Sequence, residues 1–230
     1  MKRVIPLLLL CFFFTTSFAQ KTGGKSSKKI LYVCRLVYKQ RAIDDQIKHY
    51  LDSLGYQVTL ADESEPVSNA NSYGLVIISS TVSAAHLRGK YVDVKVPVLT
   101  WENDIEDKMR FTGRLKGIDF GGVEKEHYIW IVNAPHPLAA GLPAGKIPVY
   151  LKDHPMAWGK PGLGAATIAT LPGQPDKAVI FGYEKGATMD YDFLAPDRRV
   201  MLFLDNTTFP DLNSDGIKLF NAAVQWAIEK

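Results

Sequence analysis

Apolar and polar positions along this chain switch repeatedly between strand-like runs and helical spacing. Residues 30–36 (ILYVCRL) form a short β-rich run, and Ile43, Ile47, Leu51 and Leu54 then recur on one helical face. The spacing predicts a helix over 44–54, with Gly55 at its C-terminal stop. Residues 56–60 predict a second strand, and Leu75-Val76-Ile77-Ile78 is a wholly apolar run of the kind buried on both faces of a parallel sheet. Ser83 can cap a brief helix, and 96–100 make the next strand, with Pro97 tolerable near its start. This β-α-β-β-α-β order with short crossovers predicts an α/β fold, a mainly parallel, doubly wound sheet with helices on both faces.

The second half is richer in strands. Residues 127–132, 147–151, 165–170, 178–183 and 200–204 all read as extended, and 171–176 (LPGQPD) as a turn, so some pairing there is expected to be antiparallel. A closing helix over 215–229, capped by Ser214, carries Ile217, Phe220, Val224 and Ile228 as its apolar stripe.

The first nineteen residues follow a different rule. Lys2 and Arg3 precede the apolar run 4–14, and Ser17 and Ala19 place small residues before Gln20. That is the pattern of a secretory signal peptide cleaved after Ala19, and eleven apolar residues are too few for a span that needs about 20. No small-residue lipobox precedes Cys11. The Gly/Ser/Lys-rich stretch 20–29 reads as a flexible basic tether, and 30–230 as one domain. The expected location is periplasmic or extracellular, with membrane contact only through the transient leader. Cleavage leaves one cysteine, Cys34, so the fold must rest on its core instead of disulfides.

Charge follows the same division. Six of the 27 Lys and Arg residues lie in the first 29 positions, which hold no acidic residue, so the rest carries 21 basic against 24 acidic side chains. The formal net charge of +3 therefore belongs to the leader and tether and gives no argument for nucleic-acid binding.

Several short phrases carry a resemblance. Tyr73-Gly74-Leu75-Val76-Ile77-Ile78, Val96-Pro97-Val98-Leu99-Thr100-Trp101-Glu102, His136-Pro137-Leu138-Ala139-Ala140-Gly141-Leu142-Pro143 and the final helix with Trp226 resemble the class I glutamine-amidotransferase-like superfamily. Within it they are most similar to the ThuA-like (trehalose-utilisation) proteins. The resemblance implies a flavodoxin-like sheet and a carbohydrate-related role. In working amidotransferases the strand runs into a Gly-x-Cys-x-Gly elbow, assisted by a histidine from a late strand. The corresponding positions here read Thr100-Trp101-Glu102-Asn103-Asp104, and no histidine follows His154. A carboxylate cannot perform the thiolate's acyl chemistry, so glutaminase activity is not expected. Cys34, inside the first strand, reads as a small core residue.

In open α/β sheets ligands bind beyond the carboxyl ends of the strands. Those ends collect Tyr38, then Ser79, Ser80 and Thr81, then Trp101, Glu102 and Asn103. Hydroxyls, an aromatic plate, an amide and a carboxylate suit a small polar ligand such as a sugar. The serines read equally as helix caps, and Glu102 as an anion at a helix N-terminus. Glu102 is the candidate catalytic residue if the site is a sugar-processing enzyme, with His136, His154 or Asp153 as candidate partners. His136 and His154, each followed by proline, are also candidate ligand-binding loop residues. No His or Cys spacing suggests a metal, no Gly-x-Gly-x-x-Gly or Walker pattern suggests a nucleotide, and no cofactor is expected. A non-catalytic interaction module remains the third reading.

Overall fold

The structure, a computed structural model, describes residues 28–229, so the predicted leader and most of the tether lie outside the described residues. Lys29 already pairs with Gln57, and the fold begins at the last residue of the predicted tether.

The first half follows the expected order: β1 (Lys29–Cys34), α1 (Arg41–Ser53), β2 (Gln57–Asp62), β3 (Leu75–Ile78), α2 (Ala84–Leu87) and β4 (Val98–Thr100). The second half contains β5 (Phe120–Glu126), β6 (Tyr128–Ile131), β7 (Gly145–Pro148), β8 (His154–Gly159), β9 (Ala166–Leu171), β10 (Gln174–Tyr183), β11 (Arg199–Leu202) and α3 (Ser214–Ile228). All eleven strands join one sheet, with the path β2-β1-β3-β4-β11-β10-β9-β6-β7 and β8 bridging β10 and β5.

Strands β2, β1, β3, β4 and β11 pair in parallel, and every other pairing is antiparallel. The sheet is therefore mixed rather than mainly parallel. Tight connections are the reason: β9 reaches β10 through Pro172 and Gly173, whose φ of +72° closes the turn, and so short a link can join only antiparallel neighbours. Two strands, β5 and β8, escape the periodicity rules. The β5 sequence FGGVEKE is polar and glycine-rich, and β8 carries Pro155 next to its start. They exist because they pair with each other.

Alternation in β1 and β3 builds two cores. Ile30, Tyr32, Cys34, Leu75 and Ile77 join Ile47 and Leu51 of α1 and Leu219, Phe220 and Ala223 of α3 in one cluster. Leu31, Val33, Val76 and Ile78 join Leu87 of α2 and the irregular stretch through Tyr91, Ile105, Met109 and Phe111 in the other. Cys34 is buried in the first cluster and free, as a core residue would be.

The closing helix starts one residue earlier than predicted, and its cap differs. Asn213 Oδ1 accepts from the backbone N–H groups of Asp215 (3.0 Å) and Gly216 (2.9 Å), while Ser214 is the first helical residue. Asn213→Ala is expected to cost about 1 kcal/mol in chemical denaturation. Ser214→Ala should stay within a few tenths of that scale; equal losses would return the cap to Ser214.

Candidate functional site

The carboxyl ends of β1, β3, β4 and β11 lie side by side, because these strands are neighbours in the parallel part of the sheet. Around them opens a cleft of about 330 Å³. The segment after β1 contributes Arg35 and Tyr38, and the segment after β3 contributes Ser80 and Thr81. Glu102, Asn103 and Asp104 enter from beyond β4, and Asp205 and Asn206 from beyond β11.

Thr100, the last residue of β4, sets the turn: its Oγ1 donates to Ile78 O (3.0 Å) and accepts from Glu102 N–H (3.0 Å). Glu102 itself has φ −87° and ψ 98°, ordinary extended backbone, so no strained elbow exists at this position. Only 7% of the residue is exposed. Oε1 accepts from Asp104 N–H at 2.8 Å, capping a short 3-10 turn over Asn103–Ile105, whereas Oε2 has no protein partner among the described residues. Burial pushes the Glu102 carboxyl up to about 8; the Asp104 amide opposes this, the charges of Asp104 and Asp205 add to it, and Lys116 opposes it. Glu102 is thus largely a neutral acid at neutral pH.

Behind it sits Glu106, wholly buried, with neither carboxyl oxygen bonded to a partner. Burial, reinforced by the nearby Glu102 and Asp104, holds its pKa well above the usual carboxylate range. The loop fits because Gly159 lies underneath: a Cβ there would come within 2.0 Å of Glu106 Oε2. Across the cleft, burial also raises Asp205, against the Asn206 N–H that it accepts at 2.6 Å. Ser80 Oγ and Asn206 Oδ1 are buried and unbonded.

Of the residues selected from sequence, Tyr38, Ser80, Thr81, Glu102 and Asn103 therefore meet in one cleft. Trp101 does not serve as its aromatic plate. It is 2% exposed and packs against Tyr32 (6.1 Å between ring centroids) and Phe220 (6.2 Å), because alternation after β4 sends it to the helical face while Glu102 turns to the cleft. Ser79 and Thr81 direct their hydroxyls to the buried carboxylate of Asp44, at 2.7 and 2.8 Å, where Tyr32 OH also donates (2.9 Å). Neither serves as a helix cap: the Ser83 side chain, too, makes no capping bond to α2.

The histidines separate from Glu102. His136 lines a different groove, of about 700 Å³, beside α3, with its ring 5.5 Å from Trp226 and its Nδ1 accepting from Leu138 N–H at 3.1 Å. His154 Nε2 lies 2.8 Å from Asp211 Oδ2, and its ring packs on Tyr150. Tyr150 OH donates to Thr208 Oγ1 (3.0 Å), which accepts from Asp205 N–H (2.9 Å), so His154 stands behind the Asp205 loop and not in the cleft. Asp153 pairs with His127. The second titratable group in the cleft is Asp205 instead. Arg35, Asp205 and Asn206 were missed, although the rule that selected Ser79 and Trp101, the first polar residues after an apolar strand, points to Asp205 after 200–204 as well.

No protein-family model matches the sequence, and no curated protein matches it significantly. Solved structures do. A ThuA-like protein from Bacteroides uniformis superposes with a TM-score of 0.56 at 12% identity, covering 88% of this chain and 92% of its own. A second ThuA-like protein, from Parabacteroides merdae, gives 0.54 at 14% identity over 89% and 90% of the two chains. The fold is that of the ThuA-like proteins. A GMP synthase subunit from Thermoplasma acidophilum follows at 0.52 and 12% identity, covering 85% and 92%, which places the ThuA-like fold here within the glutamine-amidotransferase-like group. In the ThuA-like domain described here, the position after β4 carries Glu102 on relaxed backbone.

Proposed function

We propose that this ThuA-like chain is exported and binds a small, hydroxyl-rich ligand such as a sugar in the Glu102 cleft, without glutaminase chemistry. The carrying observation is the set of unbonded polar atoms there: Glu102 Oε2, Ser80 Oγ and Asn206 Oδ1 each lack a protein partner in a cleft of small-molecule size. Buried polar groups are rarely left unbonded, and a ligand with several hydroxyls can supply the missing bonds. The strand order β2-β1-β3-β4-β11 favours a flavodoxin-like reading of the parallel half. In that arrangement β1 and β3 flank the point where the winding reverses, and Arg35, Tyr38 and Ser80 lie just beyond them. Export is supported by the sequence pattern of residues 1–19.

Isothermal titration against mono- and disaccharides tests this reading. At least one is expected to release or absorb heat, with affinity falling tenfold or more in Glu102→Gln at unchanged circular dichroism. Silence across the panel would overturn it.

Asp205 favours a second reading, sugar processing by a general acid and a base. Glu102 supplies a proton held at neutral pH, and Asp205 is a carboxylate in the same cleft that can accept one. Incubation of the same panel followed by NMR should then reveal a changed sugar, lost in Glu102→Gln; an unaltered panel leaves binding alone.

A further inference from the structure

The cleft is unbalanced in charge. Glu102, Asp104 and Asp205 line it, and the cations nearby are already engaged. Lys116 Nζ is 2.7 Å from Asp104 Oδ1, and the Arg35 guanidinium is 3.5 Å from Glu63 Oε1 and stacked over the Tyr38 ring at 5.4 Å. Neither Glu102 nor Asp205 has a cationic partner within ion-pair distance among the described residues. Two further carboxyls stand close enough to act on the pair: Glu106 is held up by the charge of Glu102, and Asp205 by that of Glu124. Beside them, Asn206 Oδ1 is a buried acceptor with no donor. An amide oxygen in that position requires an N–H or O–H from elsewhere.

We infer, building on the proposed ligand cleft, that its preferred occupant carries a primary ammonium group on a hydroxyl-rich frame, as in an amino sugar or an amino-polyol. An ammonium has three donors and no acceptor. Glu102 Oε2, the Asp205 carboxylate and Asn206 Oδ1 are three acceptors without a matching donor. Hydroxyls on the remaining frame can then serve Ser80 Oγ and Asn103. A neutral polyol would satisfy hydrogen bonds but leave the carboxyls unpaired, and a carboxylate- or phosphate-bearing sugar would add a like charge beside them. A metal ion is a poorer match, because no group of three or more His, Cys, Asp or Glu side chains is arranged to hold one among the described residues.

Proton linkage gives an independent readout. A cation placed against Glu102 stabilises its charged form, so binding near neutral pH must release part of the proton that burial retains. Arg35 and Lys116 are too far engaged elsewhere to replace that cation.

The test compares glucamine with sorbitol, which differ only in an amine for one hydroxyl, and glucosamine with glucose, by titration calorimetry of the folded protein. The expected result is at least tenfold tighter binding of each amine, no measurable binding of gluconate, and a heat that varies with buffer ionisation enthalpy as protons are released. Asp205→Asn, which keeps an oxygen to accept the Asn206 N–H, should bring amine and alcohol to equal affinity. If panel sugars bind but the amines gain nothing and release no protons, this inference falls and the cleft reading stands. If no compound binds, both fall.

Discussion

Arg199→Met is expected to lower thermal stability by about 10 °C or more, a larger effect than any other substitution proposed for this chain. The Arg199 side chain is fully buried in β11, yet its guanidinium donates to five backbone carbonyls: Val92 (3.2 Å), Val94 (2.6 Å), Val96 (3.0 Å), Asp197 (3.2 Å) and Arg198 (3.1 Å). The first three belong to the irregular segment that leads into β4. One planar cation therefore substitutes for the strand pairing that residues 92–97 lack, and β4 begins only at Val98. Burial lowers its pKa to about 10, so it remains charged through the physiological range. A methionine of similar volume would fill the space but strand buried carbonyls, at about 1–3 kcal/mol for each left without a donor. Partial relaxation leaves a net loss of roughly 4 kcal/mol, and in a domain of this size each kcal/mol moves the midpoint by about 2–4 °C. Arg199→Lys should recover only part, since an ammonium cannot reach carbonyls spread around a planar fork. A thermal melt followed by circular dichroism decides it; a shift under about 3 °C would show that the carbonyls find other donors.

Raising the pH from about 5 to 8 is expected to weaken the fold, with Glu106→Gln removing much of that loss. Glu102 is held up to about 8, and Glu106 and Asp205 are held above their usual ranges, all chiefly by burial. Such groups keep their protons in the folded state after the unfolded chain has released them. Their contribution is complete below the unfolded carboxyl pKa and declines as pH rises toward the folded value. For each carboxyl the decline is about 1.4 kcal/mol per pH unit within that window. His136, lowered by burial, works in the opposite direction at the acidic end, so the comparison with the variant isolates the carboxyl effect. Glu106→Gln preserves shape and carries no titrating proton. It should match or fall below the wild type at pH 5 and exceed it at pH 8 in urea unfolding. Parallel curves for the two proteins would mean that Glu106 titrates near its ordinary value.

Local pattern reached the β1–β4 half well because helix and strand periods are properties of neighbouring residues. Leu75–Ile78 declares itself a buried strand by being apolar at every position, and α1 by its one-sided spacing. The same logic placed Tyr38, Ser80, Glu102 and Asn103 together, since parallel neighbours end on the same edge. It failed at β5 and β8, whose glycines and proline carry no periodic signal and whose strand character comes from each other. It also failed at Trp101, where adjacency to Glu102 suggested a shared site although successive extended residues point to opposite faces.

Chain order and apolar spacing by themselves determined an α/β domain, the strand ends at which polar residues gather, and the replacement of a sulfur nucleophile by Glu102. Tertiary structure alone decided that Asp205 and Asn206 join that edge and that His136 and His154 do not. It also decided that Glu102 and Glu106 hold their protons to unusually high pH. The physical reason is range: periodicity reports on residues a few positions apart, whereas burial, field and hydrogen-bond supply at Glu102 come from segments about a hundred residues away, brought alongside by the pairing of β4 with β11.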